Sequence, residues 1–335
     1  MRRLLYTAKR LALMVPTLFG LVVLVFVISR VIPADPVALL AGERATPQQI
    51  EALRHRYGLD RPLPVQLLAY LRQLARGDLG TSLYSGRPIT TDLFGRFPAT
   101  LELTLAAMAI TVLLGVPLGV LAALYRNSWF DHLLRAVTVS GLAIASFWLA
   151  IMLQLLFSME LRLLPLGGRI GVPPPRALTG LFVLDALLTG NGAALRSALQ
   201  HLCLPAFTLA FPALATVVRF TRAGVLDVLH SDFILYERAM GLPRPLIVGK
   251  YLLRNAMAAT LTQIGLLFGV LLAGAVVVET VFDWPGIGLY AVNAIVLSDY
   301  NAILGFTLWS GFLYVLVNLL TDLGLMLLDP REATR

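Results

Sequence analysis

Charge is scarce in this chain. Only 14% of its 335 residues are Asp, Glu, Lys or Arg, against about 25% in an ordinary soluble domain. Six stretches carry none: Leu11–Ile28, Leu103–Tyr125, Ala136–Met159, Leu202–Val218, Ala256–Val278 and Asn301–Thr321, each 17 to 24 residues long. About 20 apolar residues cross a hydrocarbon core of roughly 30 Å as a helix. Six such runs exclude an ordinary soluble core and predict an all-α, polytopic membrane protein of six spans. Pro205 and Pro212 lie inside the fourth run, a placement that spans tolerate when neighbouring groups satisfy the freed carbonyls.

Other absences narrow the chemistry. The one cysteine, Cys203, sits in an apolar run, so no disulfide or thiolate metal site is available within the chain. His55, His132, His201 and His230 are far apart and none pairs at i+4, which leaves no metal-ligand cluster. A phosphate-binding loop is missing: Gly241 to Gly249-Lys250 has the wrong spacing, and Tyr251 stands where Ser or Thr would hold magnesium. The chain therefore binds no nucleotide by that route. The six runs hold no Asp, Glu, Lys, Arg or His, and Glu279 and Asp322 only border them. Ion-coupled carriers usually place such groups in the membrane, so a proton relay or intramembrane acid–base enzyme is disfavoured. An ATP-independent channel or secondary carrier would need buried charges or inverted repeats, and neither is clear.

What is present orients the chain. Arg2, Arg3, Lys9 and Arg10 precede the first run. That run is long for a signal peptide, and Val31-Ile32-Pro33-Ala34-Asp35-Pro36 supplies no small-x-small cleavage site; it reads as a retained span. Arg126 and Arg135 lie between runs two and three. Arg222, Arg238, Arg244, Lys250 and Arg254 lie between runs four and five, with Arg219 at the edge. Arg331 and Arg335 close the chain, and the loop between runs five and six has none. The positive-inside rule places these loops and both termini in the cytoplasm. Segment 31–98 holds eight arginines, but loops of that length cross largely regardless of charge. The net charge of +8 suits anionic lipid and needs no nucleic acid.

Segment 31–98 reads as a helical cap outside the membrane. Thr46-Pro47-Gln48-Gln49 is a capping box with proline at the first helical position, predicting a helix to about Tyr57 with Gly58 as its cap. A second helix is expected over Val65–Arg76, ended by Gly77, and a third over Ile89–Phe97, stopped by Pro98. The cap is either a docking surface for a substrate-delivering partner or a lid on the bundle. Between runs three and four, the apolar piece Leu178–Leu188 is cut by Asp185 and too short to span; it is interfacial or re-entrant.

Three groups of residues are candidates for function. Asp232, Tyr236, Glu237, Arg238, Ala239, Gly241 and Leu242 form a helix-like polar stretch broken by a glycine, on the cationic loop spanning about 222–255. Such a stretch suits a surface that grips a second protein. Trp284, Pro285, Gly286 and Gly288 predict a tight Pro-Gly turn over an outer mouth, or an aromatic anchor at the interface. Gln154, Gln263, Asn293 and Asn318 could line a passage or hydrogen-bond between helices. Gly115 with Gly119, and Gly265 with Gly269, permit close helix approach.

Several short motifs carry a resemblance. They are Ile32-Pro33-Ala34-Asp35-Pro36-Val37, Tyr57-Gly58-Leu59-Asp60-Arg61-Pro62-Leu63-Pro64-Val65-Gln66, Gly77-Asp78-Leu79-Gly80-Thr81-Ser82, Arg96-Phe97-Pro98-Ala99-Thr100-Leu101-Glu102-Leu103, and Glu279 to Gly288. In this order, on six spans, they resemble the first-type permease subunit of the dipeptide/oligopeptide/nickel ABC importers. The loop around Gly241 resembles that family's E-A-A-x-x-x-G segment, with departures. Leu235 stands at the glutamate position, Tyr236 and Glu237 at the two alanines, and Met240 where a lysine is usual; Ala239 and Gly241 match. The resemblance implies the type I ABC importer permease fold: residues 1–30 as N-terminus and first span, 31–98 as external cap, 99–335 as the permease core. It implies a subunit of the bacterial inner membrane that is not itself an enzyme and binds no cofactor. Its partners would be a second homologous permease, two ATPases that use ATP and Mg, an extracytoplasmic binding protein, and membrane lipid. Short peptides are the leading cargo, with nickel chelates, glutathione or sugars as alternatives.

Overall fold

The computed structural model describes residues 2–31, 46–56 and 60–328. Motif residues 32–37 and 57–59, the Gly58 cap, Arg331 and Arg335 lie outside the described residues. Two compact units divide the chain: Met1–Pro98 with Gly286–Leu316, and Ala99–Pro285 with Val317–Arg335. Among the described residues the secondary structure is helical apart from one isolated bridge, Thr81 to Pro88. The chain is an all-α, polytopic membrane protein.

The first unit begins with α1 (Arg2–Val31), which contains the first charge-free run. The capping box forms as expected and opens α2 (Pro47–Arg56): the Thr46 N–H donates to Gln49 Oε1 at 3.0 Å, and the Gln49 N–H returns to Thr46 Oγ1 at 3.4 Å. Helix α3 (Leu63–Ala75) then ends at Gly77 with φ +75°. There the Gly77 N–H reaches Leu74 O and the Asp78 N–H reaches Gln73 O, the paired bonds of a Schellman cap. The third expected helix is corrected. It does not stop at Pro98 but continues as α4 (Ile89–Leu124). Proline removes its own N–H and crowds the carbonyl four residues back, but the apolar run beyond it favours the intrahelical bonds that lipid cannot replace.

Two further helices complete this unit, α11 (Ile287–Val296) and the first part of α12 (Tyr300–Leu328). Its core joins Ile89 and Leu93 of α4, Ile287, Tyr290 and Ala294 of α11, and Ala302 and Leu313 of α12. Asp299 organises the region. One oxygen caps α12 through the Ala302 N–H at 3.1 Å; the other accepts from Ser82 Oγ at 2.5 Å and the Tyr84 N–H at 3.2 Å.

The second unit is centred on α8 (Gly192–Leu229), a 38-residue helix that carries Pro205 and Pro212 internally. Around it lie the rest of α4, α5 (Trp129–Ala143), α6 (Ser146–Glu160), α7 (Phe182–Leu188) and α10 (Arg244–Val281). The short α9 (Asp232–Ala239) joins α8 to α10. The core is rich in small residues: Ala107, Ala150, Ala206, Ala210, Ala213 and Ala275 interleave with Leu103, Leu209, Val217, Leu271 and Val278. In lipid, helices gain little from hiding apolar surface and associate through close packing. Small side chains allow that approach. Gly119 shows the limit: a Cβ there would lie 2.6 Å from Thr221 Cβ and 2.8 Å from Val218 O.

α4, α8, α10 and Tyr300–Thr321 of α12 are each long and apolar enough to cross a membrane. The third run departs from expectation. Ala136–Met159 is not one straight helix: α5 and α6 meet at 109° across Ile144–Ala145. Residues Gln154–Glu160 are wound as a π-helix. The Leu178–Leu188 piece is short as expected, helical only over α7.

Candidate functional site

The stretch from Asp232 folds as a short helix with a defined end. Helix α9 stops at Met240, and Gly241 takes φ +78°, the left-handed conformation that glycine adopts without steric cost. The Gly241 N–H donates to Arg238 O at 3.0 Å and the Leu242 N–H to Glu237 O at 3.4 Å. This Schellman cap reverses the chain toward α10. Sequence and structure agree here because the signal is local: a polar helical turn followed by a glycine.

One face of α9 is seated and the other is free. Ile234 is 0% exposed, packed with Ala123 of α4, Val225 of α8, and Ile247, Leu252 and Ala256 of α10; Leu242 joins the edge of that cluster. Glu237 is half-buried, while Asp232, Arg238, Ala239 and Gly241 are exposed. Leu235, Tyr236 and Met240 are 68%, 64% and 62% exposed, and Phe233 also faces outward. An eight-residue helix that, with its C-cap Met240, leaves four large apolar side chains in the open is unlike a solvated connector. Exposed apolar patches mark interaction sites.

The base beneath α9 is braced on three sides. Gly119 of α4 meets Thr221 and Val218 of α8. A Cβ on Gly224 would lie 2.7 Å from Ala256 O of α10. Thr260 Oγ1 donates to Thr221 Oγ1 at 3.4 Å. Fully buried Asp131 of α5 holds Arg222 of α8 by two bonds, Nε to Oδ1 at 2.7 Å and Nη2 to Oδ2 at 2.9 Å. The Asn127 N–H and Arg135 Nη2 also reach Asp131 Oδ2, at 3.1 and 3.4 Å. Sequence reading missed this pair, since its members are 91 residues apart and neither sits in a motif.

The far end of α10 is held as firmly. Trp284 is 1% exposed and its indole N–H donates to Ala99 O at 2.9 Å. It is a core residue, which corrects the expected interfacial anchor. The tight turn also lies earlier than expected: Asp283 has φ +48° and the Trp284 N–H closes on Glu279 O at 2.8 Å. Pro285 is exposed, whereas Gly286 and Gly288 are buried, and Gly286 has extended backbone with φ −94° and ψ −173°. Thr100 Oγ1 donates to buried Glu279 at 2.5 Å.

The segment between α6 and α8 is stapled to the same end. Arg169 Nε and Nη2 donate to Glu102 Oε2 at 2.9 and 2.6 Å, and its guanidinium stacks 3.7 Å from the Phe182 ring. Glu102 Oε1 accepts the Val183 N–H of α7 at 2.7 Å. Asp185, fully buried, accepts from the N–H groups of Leu178, Thr179 and Gly180 and from Thr179 Oγ1. Burial pulls its pKa upward, but those hydrogen bonds outweigh burial and leave it below the usual value near 3.8.

The four polar candidates are scattered. Gln154 Nε2 donates to Leu166 O at 2.8 Å and Val281 O at 3.1 Å, tying α6 to the end of α10. Gln263 is half-buried on α10, Asn293 exposed on α11, and Asn318 half-buried on α12. Among the described residues no group of three or more His, Cys, Asp or Glu could hold a metal ion.

Comparison with known proteins decides the family. Residues 115–334 match the family described as "Binding-protein-dependent transport system inner membrane component", and residues 1–104 match its N-terminal family. The chain belongs to this family. It is a multi-pass permease component of a binding-protein-dependent ABC importer, a transport subunit and not an enzyme. Such a component works with ATPase and binding-protein subunits. The chain is 47% identical over 314 residues to a probable D,D-dipeptide transport permease, DdpB, of Escherichia coli, covering 93% of this chain and 92% of the relative. It is 41% identical to the di/tripeptide permease DppB of Pseudomonas aeruginosa, covering 97% and 98%. It is 38% identical to the glutathione permease GsiC of Pectobacterium atrosepticum, covering 97% of each.

Proposed function

We propose that this permease pairs with a second, homologous permease to form the pathway for ATP-driven uptake of short peptides delivered by an extracytoplasmic binding protein. Two ATPases would hydrolyse ATP with Mg; the chain itself binds neither. The observation that carries the reading is α9: a helix seated by Ile234 and ended at Gly241, with an outward face of Phe233, Leu235, Tyr236 and Met240. It is the element an ATPase can grip. The brace from α9 to α4, α5, α8 and α10 lets a displacement there move whole helices. Nucleotide would thus bias an equilibrium between inward- and outward-open forms.

The arginine and lysine distribution supports both termini and α9 on the cytoplasmic side, with residues 31–98 as the external cap. Similarity to relatives named for dipeptides and di/tripeptides supports peptide cargo. A pathway lined in part by Gln263 and Asn318, both half-buried in the second unit, belongs to the same proposal.

Reconstitution tests the core. Vesicles holding both permeases, both ATPases and the binding protein should accumulate dipeptide only with ATP. Accumulation by this chain alone would overturn the reading. Mass spectrometry of the ligand carried by the binding protein separates peptides from glutathione, nickel chelates or sugars. Orientation is tested in a Cys203→Ser background. A cysteine at Arg54 should react with an impermeant maleimide from outside, and one at Arg244 should not; the reverse pattern would refute the topology.

A further inference from the structure

Beside α9 lies a recess of 740 Å³, lined in part by Leu124 of α4, Leu229 of α8, Leu242, and Val248 and Leu252 of α10, with Arg238 and Arg244 completing it. Its volume falls in the range of roughly 300–1,000 Å³ found for pockets that engulf a ligand. No carboxylate lines it, and both arginines are exposed. The chemistry is a hollow of aliphatic side chains beside two exposed cations.

Most of its lining lies beyond the charge-free runs. Leu229 is 11 residues beyond the end of the fourth apolar run and Val248 is 8 residues before the fifth. At 1.5 Å per residue those offsets are about 16 and 12 Å along the helices, and Leu124 stands at the end of the second run. The recess adjoins the helix assigned to the ATPase, because Arg238 is exposed on α9 and also lines the recess.

We propose that this recess is a reciprocal socket: while α9 enters the ATPase, a segment of the ATPase enters the permease here. That segment carries an aliphatic or aromatic side chain for the hollow and a neighbouring carboxylate for Arg238 and Arg244. The inference rests on the coupling role of α9 and adds a second, oppositely directed contact. Two interlocked contacts resist sliding in a way one helix in one groove does not, so force normal and tangential to the membrane is transmitted alike.

The test uses the assembled transporter in native membranes with a photoreactive benzoylphenylalanine placed at Val248 or, separately, at Tyr236. Both positions should cross-link to an ATPase subunit. Capture of the ATPase from Tyr236 with only phospholipid, or no adduct, from Val248 would overturn the socket and leave the role of α9 intact. Failure at both positions would overturn both. In parallel, Val248→Trp, which fills the hollow, and Arg238→Glu with Arg244→Glu should each weaken ATPase co-purification by about tenfold, the scale of a buried hot-spot contact. Val248→Ile should retain it. Unchanged co-purification with the filled and charge-reversed variants, at normal membrane insertion, would refute the proposal.

Discussion

Asp131→Asn isolates the contribution of the brace between α5 and α8. In the native protein two carboxylate oxygens receive four donors: Arg222 Nε and Nη2, the Asn127 N–H and Arg135 Nη2. An asparagine offers one oxygen and one NH2. Whichever way the amide turns, its NH2 meets an N–H donor, and Arg222 loses its counter-charge. Breaking a buried ion pair by removing one partner costs about 3–5 kcal/mol. Arg222 is 21% exposed, so water recovers part of that loss, and about 3 kcal/mol is expected. Equilibrium unfolding of the purified permease in mixed micelles measures it. Replacing both partners, Asp131→Leu with Arg222→Met, should recover more than half, because an apolar pair leaves no stranded charge. A loss below about 1 kcal/mol for Asp131→Asn, or a double variant worse than the single one, would refute the argument.

Other outcomes follow from local geometry. Gly241→Ala places a Cβ in the left-handed region at a cost of about 1–2 kcal/mol; nothing lies within 4 Å of that Cβ, so transport rate should fall through a frayed α9 while yield in the membrane stays constant. Gly119→Leu collides with Val218 and Thr221 and should abolish recovery of folded protein by size-exclusion chromatography, while Gly115→Ala, whose Cβ meets Val217 at 3.0 Å, should cost about 1–3 kcal/mol. Asp185 has a lowered folded-state pKa, so its contribution is complete above the unfolded value near 3.8 and is lost progressively as pH falls from there through the lowered folded-state value. Pepsin should therefore cut residues 160–190 sharply faster at pH 2.5 than at pH 4.5, and Asp185→Asn should flatten that difference.

The parts of the fold readable from sequence are those decided locally. The Thr46–Gln49 box and the glycines at 77 and 241 end or begin helices through bonds spanning a few residues, and the apolar runs mark helices through composition. What escaped reading depends on contacts distant in sequence. The 109° bend at Ile144 follows Ser140-Gly141, a weak kink signal inside a charge-free run that reads as one span. Trp284 looked interfacial by residue type, yet Ala99 O, 185 residues away, takes its N–H. Glu102 and Arg169 stand 67 residues apart, so their pairing has no local signature. The helix of the candidate site was legible; its seat and brace were not.

The wide turn at Ile247–Leu252 sits between the grip and the span. A π-helical turn holds one residue more than its neighbours need. Deleting a single codon there would let ordinary winding resume with the flanking residues almost in their present register, whereas the same loss in ordinary α-helix would swing everything upstream by about 100° around the axis. The handle can therefore lose one residue at this turn and keep its aim, a tolerance that the straight helix on either side lacks.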